Sequence, residues 1–212
     1  MLKKSKFAAY AVMALTLPAA FSQSATAGTI LSENFDELTP ALTVTSVGAF
    51  STIDGTNVDV VDNTMGYGAL CAGPEAGNCV DLGGTGGNAN GILQSNTQFA
   101  AGQYLFSFDL VGSGRGQTDA TTVSFGNYDE VFTLASGDIT SVADVLVTLT
   151  TPDFLTFSED PLGGNGNIGN VLDNVSISTV AAAVPEPFTL SIFGAGLAGA
   201  TALRRRKKAR KA

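Results

Sequence analysis

The stretch Gly102-Gln103-Tyr104-Leu105-Phe106-Ser107-Phe108-Asp109-Leu110 decides the fold. Tyr104, Phe106, Phe108 and Leu110 recur at every second position, so in an extended chain they share one face, with Leu105, Ser107 and Asp109 on the other. That is the period of a half-buried strand with a large apolar side, and a helix would scatter the same four side chains around its axis. Shorter alternating runs recur on either side. Val145, Val147 and Leu149 form one; Val171, Asp173, Val175 and Ile177 form another, with one acid inserted. The pattern predicts strands over Leu42–Val47, Asn57–Val61, Cys79–Leu82, Ile92–Ser95, Gln103–Val111, Thr118–Phe125, Glu130–Leu134, Ala143–Thr150, Phe154–Ser158 and Val171–Thr179. Gly, Asn, Asp and Ser punctuate these runs, and no helical periodicity lasts three turns. Many short strands joined by turn residues predict an all-β, antiparallel two-sheet sandwich over residues 28–180, a length that can bury a substantial core.

The two ends of the chain have a different composition. Residues 1–27 read as a secretory signal peptide: Lys3, Lys4 and Lys6 are followed by an apolar run from Phe7 to Phe21. Ala25-Thr26-Ala27 then places small residues where signal peptidase reads them, which predicts cleavage before Gly28. Residues 181–212 hold three parts in order. Val184-Pro185-Glu186-Pro187 is a stiff break. The uncharged run Phe188–Leu203 would make a single transmembrane helix, short for a bilayer core of about 30 Å but adequate if flanking bases snorkel. Arg204, Arg205, Arg206, Lys207, Lys208, Arg210 and Lys211 form a basic cluster that the positive-inside rule holds on the cytoplasmic side. An amphipathic surface helix is excluded because the apolar run has no polar face. With both ends basic, the region between them is expected outside the inner membrane, and the Sec translocase and signal peptidase are the implied export partners.

That region is almost free of bases. From Gly28 to Val184, eighteen acidic side chains face the single Arg115, a net charge of −17. Such a domain will not bind nucleic acid, whose phosphates require neutralisation by Lys or Arg. Divalent cations and neutral sugars remain compatible, and excess acid also keeps an exported protein soluble. Cys71 and Cys79 are the chain's two cysteines, and in an oxidising compartment they are expected to pair.

The chemistry is narrow as well. The chain has no histidine, and no lysine lies between Lys6 and Lys207. Serine and cysteine triads, Ser-Lys dyads and imidazole-ligated metals are thereby excluded from the exported region. A carboxylate pair would still suffice for glycoside hydrolysis, with Asp109, Glu130, Glu159 and Asp160 as nominal candidates. Eighteen acids make close pairs inevitable, so no enzymatic activity is expected. Gly83-Gly84-Thr85-Gly86-Gly87-Asn88 looks like one turn of a calcium-binding nonapeptide repeat, but such repeats work stacked and only one copy is present, so it reads as a loop.

Two resemblances follow from these residues. Val184-Pro185-Glu186-Pro187, the apolar span and the Arg-Arg-Arg-Lys-Lys terminus resemble, in order and spacing, the PEP-CTERM sorting signal of Gram-negative bacteria. That resemblance implies processing by an exosortase, a transient membrane anchor and delivery to the cell surface. Glu33-Asn34-Phe35-Asp36, Asn57-Val58-Asp59-Val60-Val61, Cys79-Val80-Asp81-Leu82, the 102–110 strand and Ile168–Ile177 look like the galactose-binding-like jelly roll of carbohydrate-binding modules. In that fold, acids near the first and last strands often hold a structural Ca²⁺; the matching positions are Glu33, Asp36 and Asp173. Sugar-binding modules usually stack aromatics on the ring. With no Trp in the chain, the candidates are Tyr67 and Tyr128. The expectation is a non-enzymatic cell-surface or exopolysaccharide-matrix protein, with a lectin-like module as the alternative.

Overall fold

A computed structural model describes residues 27–65, 71, 77–180 and 196. The unit Thr26–Ala181 is an all-β sandwich of two antiparallel sheets, and no helix occurs among its described residues. Thirteen strands alternate between the sheets: β1 Thr29–Glu33, β2 Ala41–Val44, β3 Ser46–Val47, β4 Phe50–Thr52, β5 Val58–Asp62, β6 Asn78–Asp81, β7 Ile92–Ser95, β8 Gly102–Val111, β9 Asp119–Phe125, β10 Tyr128–Leu134, β11 Ile139–Leu149, β12 Thr156–Asp160 and β13 Val171–Thr179. The first sheet runs β11-β8-β13-β6-β5-β2, with β1 also paired to β13; the second runs β10-β9-β12-β7-β4-β3. The two ends of the sandwich meet where Gly28 N donates to Thr179 Oγ1 at 2.9 Å.

The alternation in β8 does what its period predicts. Tyr104, Phe106, Phe108 and Leu110 are buried between the sheets. Phe106 sits at the centre, its ring within 4.9–6.4 Å of the rings of Phe108, Phe125, Tyr128 and Phe157. Each fully buried side chain of this size contributes about 1.5–3 kcal/mol of transfer free energy.

Three strand predictions need correction. The run Leu42–Val47 is two strands in different sheets: β2 pairs with β5, β3 pairs with β4. The chain leaves the first sheet at Thr45, just after a register irregularity inside β2 at Thr43, which sits at φ +58° with its N–H on Asp59 Oδ1 at 2.7 Å. Strands β1 and β4 carry too little alternation to be seen: Leu31 alone is buried in β1, and β4 is three residues long. In β13, the bulge at Asn174 (φ +52°) changes which parity faces inward. Leu172, Val175 and Ile177 enter the main core, whereas Val171 joins a second cluster with Val61, Cys71, Cys79 and Val111. Val171 is register partner to Val111 and Asp81, and Asp81 to Asp59, so all four lie on the outer face of the first sheet.

The expected disulfide is present. Cys71 and Cys79 are joined, with Cα atoms 5.4 Å apart, and Cys71 N donates to Asn63 Oδ1 at 3.1 Å. The bond pins the chain after β5 onto the outer-face cluster.

Candidate functional site

The outer face of the first sheet gathers carboxylates. Asp173 and Asp109 are cross-strand partners on β13 and β8, and the Asn174 bulge serves both. Asn174 N donates to Asp173 Oδ1 at 2.7 Å and its Nδ2 donates to Asp109 Oδ2 at 2.9 Å. Burial pushes Asp173 up to about 7, with the Asn174 N–H opposing and the charges of Asp36 and Asp109 adding to the rise. Asp36 and Asp173, two of the three residues matched to a calcium site, therefore share an electrostatic neighbourhood.

Glu33 lies elsewhere. It opposes core-facing Val175 in the β1–β13 register, and its carboxylate accepts from Phe35 N at 3.0 Å and Ala49 N at 2.9 Å. It ties the first strand to the β3–β4 turn of the opposite sheet. Among the described residues, no three His, Cys, Asp or Glu side chains form a group suited to a metal ion.

A second polar group fills the end of the sandwich beneath the loops 83–91, 112–118 and 161–170. Asp81 Oδ1 accepts from Gly83 N at 2.9 Å and its Oδ2 from Arg115 Nη2 at 2.5 Å. Burial raises Asp81 to about 7 against the pull of Arg115 and the Gly83 N–H. Nearby, Thr121 Oγ1 donates to Glu159 Oε2 at 2.6 Å, Asn170 N donates to Glu159 Oε1 at 2.9 Å, and Asn170 Nδ2 donates to Thr121 Oγ1 at 3.0 Å. Glu159 is held well above the usual carboxylate range by burial, and Asp119 and Asp81 repel its charge. Gln117 bridges Asp119 Oδ1 to the carbonyls of Asn165 and Ile168 through its Nε2. These carboxylates act on their own loops: each N–H they accept belongs to a segment that closes the sandwich end.

The four nominal hydrolase carboxylates are dispersed. Asp109 is on the outer face of the first sheet, and Glu130 is exposed on edge strand β10. Glu159 is buried beside Thr121, and Asp160, next along β12, is exposed. Tyr128 is half-buried, its ring edge-on to Phe106 at 5.8 Å, and burial lifts its hydroxyl to about 12. Tyr67, the signal peptide, Val184, Pro185, Glu186 and Pro187, the apolar span and the basic cluster lie outside the described residues.

Asp81, Asp119, Thr121 and Asn170 were not singled out from the sequence. A faint signal exists, because Asp59 and Asp81 each interrupt an apolar strand at a position whose neighbours are Val, Cys or Leu. Their partners sit tens of residues away and carry no motif.

Residues 183–207 match the PEP-CTERM protein-sorting motif. The chain therefore ends in a PEP-CTERM sorting signal, and the implied processing partner is an exosortase. No curated protein matches the chain in sequence. Among solved structures, the chain is similar to the K3 cleaved adhesin domain of Lys-gingipain from Porphyromonas gingivalis W83, at 17% identity and TM-score 0.48, over 72% of this chain and 100% of that one. It is similar to the CBM22-1 xylan-binding domain of Paenibacillus barcinonensis Xyn10C, at 12% identity and TM-score 0.44, over 76% and 100%. A Stig cyclase from Fischerella sp. TAU also matches, at 17% identity and TM-score 0.47, over 74% and 100%. Adhesin, sugar-binding module and cyclase thus stand side by side, and function must come from this chain's own residues.

Proposed function

We propose that this protein is a non-enzymatic component of the cell surface or extracellular polysaccharide matrix, exported through a signal peptide and processed through its PEP-CTERM signal. The match at residues 183–207 carries this reading, because a PEP-CTERM signal supports export and processing by an exosortase. The sandwich supports it in two ways. Its disulfide suits an oxidising exterior, and the buried carboxylates of Asp81 and Glu159 are bonded to the loops that close the sandwich end. The surface that remains is acidic and nearly base-free, suited to neutral glycans and divalent cations.

Intact mass of the protein extracted from the cell surface tests the route. The expected product begins at Gly28, has lost the chain beyond the Pro-Glu-Pro break and is two hydrogens lighter than its fully reduced form. Glu186→Ala with Pro187→Ala should leave an unprocessed chain in the inner membrane. Recovery of that double variant at the surface with wild-type mass would overturn the sorting role of the motif. Turnover of any polysaccharide by the purified protein would overturn the non-enzymatic part.

A further inference from the structure

Two Asn-Gly bonds, Asn90-Gly91 and Asn165-Gly166, lie at the loop-closed end of the sandwich, and the chain has no others. They are neighbours there: a Cβ on Gly166 would lie 2.9 Å from Asn90 Oδ1. An asparagine before a glycine is exposed to attack by its own backbone, because no side chain shields the glycine nitrogen from the carboxamide.

The fold treats the two bonds differently. Gly91 is buried, and its N–H donates to Leu82 O at 2.7 Å. A Cβ there would lie 2.3 Å from Val58 Cγ1 and 2.9 Å from Leu82 O, so this nitrogen is both committed and walled in. Asn165 is exposed and Gly166 half-buried. Among the described residues, the Gly166 N–H has no acceptor. Gly166 follows Asn165 into a turn closed by Ile168 N donating to Asn165 O at 2.9 Å. Within that turn Asn165 Oδ1 accepts from Asn167 N at 3.1 Å. The bond folds the carboxamide forward over the Gly166 peptide and polarises its carbonyl.

We propose that Asn165 is a site of spontaneous deamidation and isomerisation, and that the fold protects Asn90 from the same reaction. Gly166 N loses its proton to solvent and attacks Asn165 Cγ; the Cγ–Nδ2 bond breaks and ammonia leaves. Water then opens the resulting succinimide at either carbonyl, giving aspartate or isoaspartate. One water enters, one ammonia departs, and nothing is oxidised or reduced.

The product bears on the loops around it. Gln117 Oε1 accepts from Asn165 N at 2.8 Å, and Gln117 Nε2 donates to Asn165 O at 3.2 Å and to Asp119 Oδ1. In isoaspartate the main chain runs through Cβ and Cγ, one carbon longer, and the old carbonyl becomes a free carboxylate. The two backbone atoms that Gln117 holds then no longer match its fork, and a second negative charge arrives on the amide that already serves Asp119. The site is thus a slow, irreversible loosening of the contact between the 112–118 and 161–170 loops.

The test holds the full chain in detergent in warm, mildly alkaline buffer and maps its peptides by mass over time, with isoaspartyl methyltransferase to mark isoaspartate. The peptide containing Asn165 should gain one mass unit and become a methyl acceptor. Asn90 must wait for local opening, so it should convert more slowly by roughly tenfold or more. In urea with reductant, where the fold is gone, the two peptides should convert alike. Asn165→Gln, whose longer side chain closes the ring far more slowly, should remove the early methyl acceptor and leave Asn90 as slow as before. The proposal is overturned if Asn90 converts as fast as Asn165 in the folded protein, or if Asn165 stays intact there while converting in urea.

Discussion

Arg115 Nη2 donates to Asp81 Oδ2 across 2.5 Å, tying the loop between β8 and β9 to the end of β6. The two partners are unequal, with 23% of the Arg115 side chain exposed and 3% of the Asp81 side chain. Removing the arginine strands a buried carboxylate, whereas removing the aspartate leaves a guanidinium that can reach water. Breaking a buried pair from one side costs about 3–5 kcal/mol, and the partial exposure of Arg115 places the expected loss for Arg115→Gln at the low end, about 2–3 kcal/mol. At about 2–4 °C per kcal/mol for a domain of this size, the melting temperature should fall by about 5–10 °C. Asp81→Asn should cost less, and the double variant less than the sum. A larger loss from Asp81→Asn than from Arg115→Gln would mean that the pair is not what holds the loop.

Stability should rise as the medium becomes mildly acidic. Asp81 and Asp173 both titrate near 7 in the folded protein, raised mainly by burial from an ordinary value of 3.8. Between those limits the folded state binds more protons than the unfolded chain, so the free energy of unfolding falls as pH rises. The contribution is complete below about pH 4 and is lost as pH passes through 7. For Asp81 the displacement corresponds to at most about 4 kcal/mol; Asp173 adds in the same direction. Melting curves in EDTA at about pH 5 and about pH 8 check this, and the protein should be more stable at the lower value. Equal stability, or a maximum at the alkaline end, would show that these carboxylates are ionised throughout.

Much of the sandwich was legible because its central strands alternate cleanly. Gly102–Val111 and Val171–Thr179 declare themselves, and strands β7 and β13 begin and end where the pattern puts them. What the pattern hides is set by backbone conformations that no residue type announces. Thr43 at φ +58° bulges β2 shortly before the chain leaves the first sheet at Thr45, and Asn174 at φ +52° exchanges the faces of β13 halfway along. A left-handed threonine costs strain, and it is held here by the Asp59 carboxylate sixteen residues away. The carboxylates behave similarly. Asp36 and Asp173 could be proposed as neighbours because the first and last strands pair, but the direction of Glu33 depends on the β3–β4 turn it bonds. The Asp81–Arg115 and Glu159–Thr121–Asn170 contacts join residues 11–49 positions apart in loops and strand ends, where period carries no information.

The disulfide should matter more than its short loop suggests. Chain-entropy arguments assign about 2–3 kcal/mol to a loop of this length. Cys79 and Cys71 are also part of the cluster with Val61, Val111 and Val171, so reduction loosens the packing of Cys71 on that cluster. Reductant should lower the melting temperature of wild type by roughly 5–10 °C and leave Cys71→Ala/Cys79→Ala unchanged. Wild type and the double variant responding alike would detach the effect from this bond.

Gly83 and Gly169 mark where the loops at the sandwich end pass closest. A Cβ on Gly169 would lie 2.2 Å from Gly83 N and 2.6 Å from Gly83 Cα, and one on Gly83 would lie 2.5 Å from Gly169 N. The obstacles are backbone on both sides, so no rotamer change relieves them, and the strands behind each loop are fixed by Leu82 N donating to Asn170 O at 3.0 Å. Gly169→Ala should therefore cost about 3 kcal/mol, the upper end of the range for overpacked cores. Gly87 is the control within the same glycine-rich stretch: its φ is not left-handed and nothing lies within 4 Å of its added Cβ. Gly87→Ala should be neutral or slightly stabilising, by up to about 1 kcal/mol through the unfolded chain. Equilibrium denaturation of the two variants separates a glycine required by contact from one that merely lengthens a loop, and similar midpoints for both would mean that the two loops do not meet as described.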